Sequence, residues 1–252
     1  MKQTVIKSAW IDSPKWTDGW PLIHNATLPK RPSVWLIDPE KADPLLNNRY
    51  TDLLNHDERS RASRFVQPAH QKRYKTTHAA LRILLAQSIQ ANASSLCFET
   101  GHHHKPRLAS HHNGPAFNIS YTEGRSIIGL GIDPAIGVDI EWSHRDMIID
   151  DMLPVCFSPN EINYINANRD ERHLRFFTLW TRKEAILKLT GEGIGEHLPL
   201  FEVLDGECIT EKHIIGGHPP DRIFLHSFLL GDRYIGCYAS STPLTALTIY
   251  HL

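Results

Sequence analysis

Cysteine is scarce in this chain, and the four present, Cys97, Cys156, Cys208 and Cys237, lie far apart. No Cys-x-x-Cys spacing occurs, which argues against a zinc ribbon or a redox pair and leaves buried or free thiols. Long apolar runs are missing as well: none approaches the roughly 18 residues of a membrane helix. The first ten residues are mixed and polar rather than a charged segment leading into an apolar one. No secretory signal is therefore read, and a cytoplasmic location is expected. An excess of one charge is also lacking. With a formal net charge of −1, global electrostatics proposes neither nucleic acid nor membrane as a partner, so any phosphate site must be local.

What is present is an ordinary globular composition, 41% hydrophobic and 22% charged over 252 residues, enough for two moderate domains. Residues 1–32 carry Pro14, Pro21, Pro29 and Pro32 without a sustained period and read as an extension that is laid over the surface or partly disordered. Val34 to Ile37 predicts a short strand. Asn55 to Glu58 and Ser158 to Glu161 both have capping-box spacing, each opening a helix that is followed by a longer one. The longer helices are expected over about Gln71–Ile89 and Leu174–Leu189. A hairpin is expected around Glu123-Gly124, and Gly191 to Gly195 reads as a C-cap and turn.

The two boxes stand 103 residues apart, and Arg73-Tyr74-x-Thr76 recurs as Arg175-Phe176-x-Thr178. The common offset predicts an α+β protein of two similar α/β subdomains packed as a pseudo-twofold dimer, with the boundary near residue 133 and a shared cleft between the halves. The expected units are 1–32, 33–132 and 133–252.

Chemistry concentrates in Ile136-Gly137-Val138-Asp139-Ile140-Glu141. Strand alternation places Asp139 and Glu141 on one face and Val138 and Ile140 on the other. A pair of carboxylates suits a hard divalent cation that keeps sites for water and phosphate. On the helix at 180–188, Glu184 and Lys188 share a face at i and i+4, adding a third acid and an ammonium. The histidines His102, His103, His104, His111 and His112 could suggest a transition-metal site. No acidic or cysteine partner sits nearby at ligand spacing, so a solvated loop is the preferred reading.

These segments resemble the signature motifs of the Sfp-type 4′-phosphopantetheinyl transferases. Phe117-Asn118-Ile119-Ser120-Tyr121 is similar to the family's Phe-Asn-x-Ser-His element, with Tyr121 in place of the more usual histidine. Lys105-Pro106 stands where Gly-Lys-Pro is expected, and Phe157 to Glu161 also fits. The resemblance runs from about residue 54 to 195 and implies a holo-[acyl-carrier-protein] synthase activity. In it, a serine of an apo acyl or peptidyl carrier protein attacks coenzyme A, and adenosine 3′,5′-bisphosphate leaves.

It further implies magnesium held by Asp139, Glu141 and Glu184. Lys188 and Ser120 would act on phosphate, with Lys105 and Pro106 at the nucleotide end. Arg61 and Arg73 would meet the 3′-phosphate, although Glu58 falls where some relatives have a lysine. Tyr121 belongs to the same coenzyme A contacts. Glu184 is the first candidate for the base, Glu161 the second, and sequence leaves ligand and base roles of Glu184 open. A monomer is expected. The rival readings are a magnesium-dependent nuclease or phosphohydrolase and a noncatalytic carrier-binding module.

Overall fold

The computed structural model describes residues 5–9 (backbone only), 31–46, 49–100, 105–133, 135–143, 148–193, 195–209, 221–231 and 233–252. In chain order the elements are β1 (Val5–Ala9), β2 (Ser33–Ile37), α1 (Pro39–Leu46), α2 (Tyr50–Leu53), α3 (His56–Ser63), α4 (Pro68–Ile89), β3 (Phe98–Thr100), β4 (Pro106–Leu108), β5 (Ala116–Thr122) and β6 (Arg125–Gly131). There follow β7 (Ile136–Trp142), α5 (Leu153–Cys156), α6 (Pro159–Asn166), α7 (Arg172–Thr190), β8 (Glu207–Ile209), β9 (Arg222–Leu230), β10 (Tyr234–Ser240) and β11 (Ala246–His251). Most of the extension expected at 1–32 lies outside the described residues, as do His102 to His104.

Two sheets carry the fold, in orders β1-β11-β2-β6-β5 and β7-β10-β9-β8. In each, a first strand runs antiparallel to the second strand of a later hairpin, β2 on β6 and β7 on β10. The hairpin's other strand lies outside it, β5 or β9. The two sheets thus share one local strand order, β2-β6-β5 in the first and β7-β10-β9 in the second. The last strand departs from the expected division: β11 leaves the second unit and inserts between β1 and β2, parallel to both.

Alternation explains the layers. Val34, Leu36, Ile127 and Ile249 from the first sheet meet Ile136, Val138, Ile140 and Tyr238 from the second in one buried apolar cluster. The opposite faces are covered by helices. Trp35, Ile37 and Ile128 pack with α4, while Ile235, Cys237 and Ala239 pack with α7.

Both capping boxes form, and each helix opened by one leads to a buried ion pair. Arg82 on α4 donates to Glu58 at 2.7 Å and to the carbonyls of Ala93 and Leu96 at 2.8 and 3.1 Å. Lys183 on α7 does the same for Glu161 at 2.9 Å and for the carbonyls of Leu198 and Phe201 at 2.7 and 2.6 Å. Each cation therefore ties its long helix to the capped helix and to a 3₁₀ turn beyond.

Candidate active site

The site forms where the edge strands β5 and β7 meet under α7. Asn118 Oδ1 accepts the Val138 amide at 2.9 Å, and Thr122 Oγ1 accepts the Trp142 amide at 3.1 Å. These side chains, four residues apart on one face of β5, replace the ladder that two strands in different sheets lack. Gly137 sets the third side. A Cβ there would stand 1.9 Å from the Ala185 carbonyl oxygen and 2.6 Å from the Leu189 nitrogen. Only glycine lets the α7 backbone come this close, which brings Glu184 and Lys188 over Asp139.

Asp139 is buried at 3% exposure. Its Oδ1 accepts from Lys188 Nζ at 2.6 Å and from Ser120 Oγ at 2.8 Å, while Lys188 also reaches Ser120 at 2.8 Å. Its Oδ2 is buried and takes no hydrogen bond, and the same holds for Glu184 Oε1. Buried acceptors of this kind normally find a donor. Burial pushes the Glu184 carboxyl up to about 7, and the charges of Asp139 and Glu141 push the same way, against Lys188.

A small oxygen-loving cation would relieve both the repulsion and the two orphaned oxygens, so Asp139 and Glu184 fit magnesium. Glu141 stands differently. Its carboxylate accepts from Trp180 Nε1 at 3.3 Å and from Thr122 Oγ1 at 3.4 Å. Among the described residues the three acids do not draw one oxygen each to within 4.8 Å of one another. Magnesium commonly takes one or two protein carboxylates and keeps its waters, so this spacing is compatible with it.

The remaining expected residues spread outward. Lys105 donates to the Ile136 and Leu189 carbonyls at 2.7 and 3.2 Å, and burial pulls its pKa down to about 8. With Pro106 it lines a cavity of about 370 Å³ bounded by β4, β5 and the ends of β7 and α7. Arg61 lines an open hollow with Asp57, Ser60, Arg64 and Phe65, and its guanidinium lies 5.6 Å from the Tyr74 ring. Arg73 donates to the Thr122 carbonyl and lies 5.8 Å from the Tyr121 ring, and the charges of both arginines act on that phenol. Arg61, Arg73 and Tyr121 are therefore neighbours.

Glu161 is held elsewhere. Both its oxygens are used, by the Ser158 and Val203 amides at 2.9 and 2.8 Å and by Lys183, and the side chains of Glu161 and Lys183 are both at 0% exposure. Among the described residues no hydrogen bond or ion pair joins it to Asp139, so the structure does not bring this second candidate for the base together with the other acids. Conversely, Thr122 and Trp180 support Glu141 without having been singled out. The signal for Thr122 was available, because Asn118, Ser120 and Thr122 alternate on one strand.

The family described as "4′-phosphopantetheinyl transferase superfamily" matches residues 135–238. A Synechocystis sp. protein, slr0495, provisionally named a 4′-phosphopantetheinyl transferase, is 32% identical over 166 residues, 65% of this chain and 66% of its own length. That is just under two thirds of the relative. The 4′-phosphopantetheinyl transferase HetI of Nostoc sp. is 28% identical over 69% of this chain and 78% of its own. For 4′-phosphopantetheinyl transferase Sfp of Bacillus subtilis the identity is 27%, over 77% and 85%. Among the described residues no helix is long and apolar enough to cross a membrane. The family match spans β7 and α7, the two elements that hold Asp139, Glu141, Glu184 and Lys188, and the resemblance to the 4′-phosphopantetheinyl transferases read from the motifs is borne out by the family model and by these relatives.

Proposed function

We propose that this protein transfers the 4′-phosphopantetheine group of coenzyme A to a serine of an apo carrier protein, with magnesium bound at Asp139 and Glu184 and with Glu141 behind them. The observation that carries the reading is the pair of buried, unpartnered oxygens on Asp139 and Glu184 beside an ammonium and a hydroxyl. In the reaction the serine oxygen bonds to the β-phosphorus, the pyrophosphate P–O bond breaks, and adenosine 3′,5′-bisphosphate leaves. Bound magnesium would supply charge neutralisation on the pyrophosphate.

Lys188, with an Nζ that already bridges Asp139 and Ser120, holds a positive charge where phosphoryl oxygens gain negative charge. Ser120 Oγ is placed to turn its donor from Asp139 to a phosphate oxygen. Glu184, with a pKa of about 7 in the unliganded site, can hold the serine proton if the metal leaves one of its oxygens free. Arg61 and Arg73 would receive the 3′-phosphate across Tyr121, and Lys105 the nucleotide end. Two repeated units packed about a pseudo-twofold axis would complete this site within one chain, so a monomer would suffice.

The test is incubation with coenzyme A, magnesium and a panel of apo acyl and peptidyl carrier proteins, read as carrier mass. The expected result is a phosphopantetheine gain on at least one carrier, lost with chelator and in Asp139→Ala. Hydrolysis of phosphate esters or DNA with no gain on any carrier would overturn the reading in favour of a phosphohydrolase or nuclease.

A further inference from the structure

The hairpin of β3 and β4 folds a cysteine onto two histidines that sequence spacing keeps apart. Phe98 pairs with Leu108 at its base, and one step outward the Ala109 amide donates to the Cys97 carbonyl at 2.9 Å. The chain then turns through the 3₁₀ segment Ser110–His112. As a result Cys97, His111 and His112 each present one ligand atom, all within 4.8 Å of one another, and among the described residues no other histidine, cysteine or acid trio does so. The absence of a cysteine partner had argued for a solvated loop. That argument fails, because Cys97 reaches the histidines through the hairpin.

We propose that Cys97, His111 and His112 bind a d-block cation of the zinc class, with a water as fourth ligand. The donor set decides the metal: one thiolate and two imidazoles are soft and borderline ligands that suit zinc and reject magnesium. Orientation supports it. His112 Nε2 accepts the Cys97 amide at 3.0 Å, so its lone pair already points at the residue that carries the thiol. Binding exchanges that hydrogen bond for a coordinate bond.

Cys97 Sγ sits 3.7 Å from the Ser95 carbonyl, a weak contact to give up, and the thiol releases its proton to solvent as the metal binds. In a tetrahedral zinc site donor atoms stand roughly 3.5 Å apart, so closure asks for about 1 Å of movement. Cys97 and His111 are exposed and His112 is half-buried, which leaves both room for that movement and a path from solvent. The other three cysteines are buried and cannot substitute. The site is separate from the acids under α7, and it would brace the base of the hairpin that leads to Lys105.

The experiment is a cobalt(II) titration of the full chain in excess magnesium, read as thiolate-to-cobalt charge-transfer absorption. Wild type is expected to show the band, saturating at one equivalent and displaced by zinc. Cys97→Ser should abolish it, and His111→Ala should weaken binding at least tenfold, with circular dichroism unchanged in both. The histidines at 102–104 cannot produce the band, since they bring no thiolate. A missing band in wild type, a band that survives in Cys97→Ser, or wild-type affinity in both His111→Ala and His112→Ala overturns the proposal.

Discussion

Replacing Lys183 by methionine should separate what Glu161 does from what the acids at Asp139 do. The Lys183 ammonium makes three bonds, to Glu161 and to the Leu198 and Phe201 carbonyls, all without solvent. Methionine fills similar space but leaves Glu161 a buried carboxylate whose charge is met only by the Ser158 and Val203 amides. Breaking one side of a buried pair typically costs about 3–5 kcal/mol. In a chain of this size that corresponds to a Tm lowered by roughly 6–20 °C. The double change Glu161→Gln with Lys183→Met removes the stranded charge and should recover a good part of the loss.

Thermal unfolding by calorimetry measures Lys183→Met, the double change and Glu161→Gln alone. Phosphopantetheine transfer, assayed well below each Tm, should stay near wild type per folded molecule, because neither side chain touches the Asp139 cluster. If Glu161→Gln keeps the wild-type Tm and loses turnover, Glu161 is a catalytic group and this reasoning is wrong.

Gly137→Ala should lower stability by about 3 kcal/mol or more, the upper part of the overpacking range, because the atoms it meets are the α7 backbone rather than a side chain that can turn away. Transfer should fall with it, and an unchanged Tm would mean that α7 does not rest on β7 here. Arg61→Ala and Arg73→Ala should raise the KM for coenzyme A more than they lower kcat, with dephospho-coenzyme A little affected; equal losses for both substrates would remove the arginines from the 3′-phosphate. His226 is 8% exposed, its Nε2 lacks a hydrogen bond, and burial pulls its pKa down to about 4. Its unfolded form takes a proton below the ordinary value near 6.5 while the folded form does not. Wild-type stability should therefore fall as pH drops from about 6.5 to 4, by up to about 3 kcal/mol, and His226→Phe should flatten that slope in denaturant titrations. Parallel slopes for the two proteins would refute the assignment.

Sequence was informative wherever chemistry and periodicity coincide. Asp139 and Glu141 on alternate strand positions, Glu184 and Lys188 one helical turn apart, and the two capping boxes all follow from local geometry. What escaped depends on long-range closure. In Thr-Arg-Lys-Glu-Ala-Ile-Leu-Lys, Lys183 reads as a solvated helix residue; only the turn at 198–200 and the carboxylate of Glu161 make its burial tolerable. The capping-box spacing announced α6, but nothing local states that both oxygens of Glu161 are taken up by the Ser158 and Val203 amides and by Lys183. Strand β11 is a six-residue run with nothing in it to say between which two strands it inserts. Cys97 and His112 are joined by a hairpin whose register no local pattern states.

The repeated scaffold also explains why one half carries the acids. The buried cation is Arg82 in α4 and Lys183 in α7, so the next residue toward the sheet is Ile83 in one and Glu184 in the other, and five residues beyond the cation stand Gln87 and Lys188. On the strands, the helix-facing positions are Trp35 and Ile37 in β2, both packed in an apolar cluster, but Gly137, Asp139 and Glu141 in β7. The first unit thus closes its sheet and helix mainly with hydrocarbon, beside one buried hydroxyl pair, Thr77 with Ser126 at 2.6 Å. In the second, glycine admits the helix backbone, and carboxylates and an ammonium occupy the space that large apolar side chains fill in the first. Burying those groups costs stability, as the raised Glu184 pKa indicates. The buried pairs Glu58 with Arg82 and Glu161 with Lys183 are common to both units, so their role is to lock the long helix in each. On the faces where the second unit carries Asp139, Glu141 and Glu184, the first carries the apolar Trp35, Ile37 and Ile83, so the scaffold does not require acids there, which is what the proposed metal site leads one to expect.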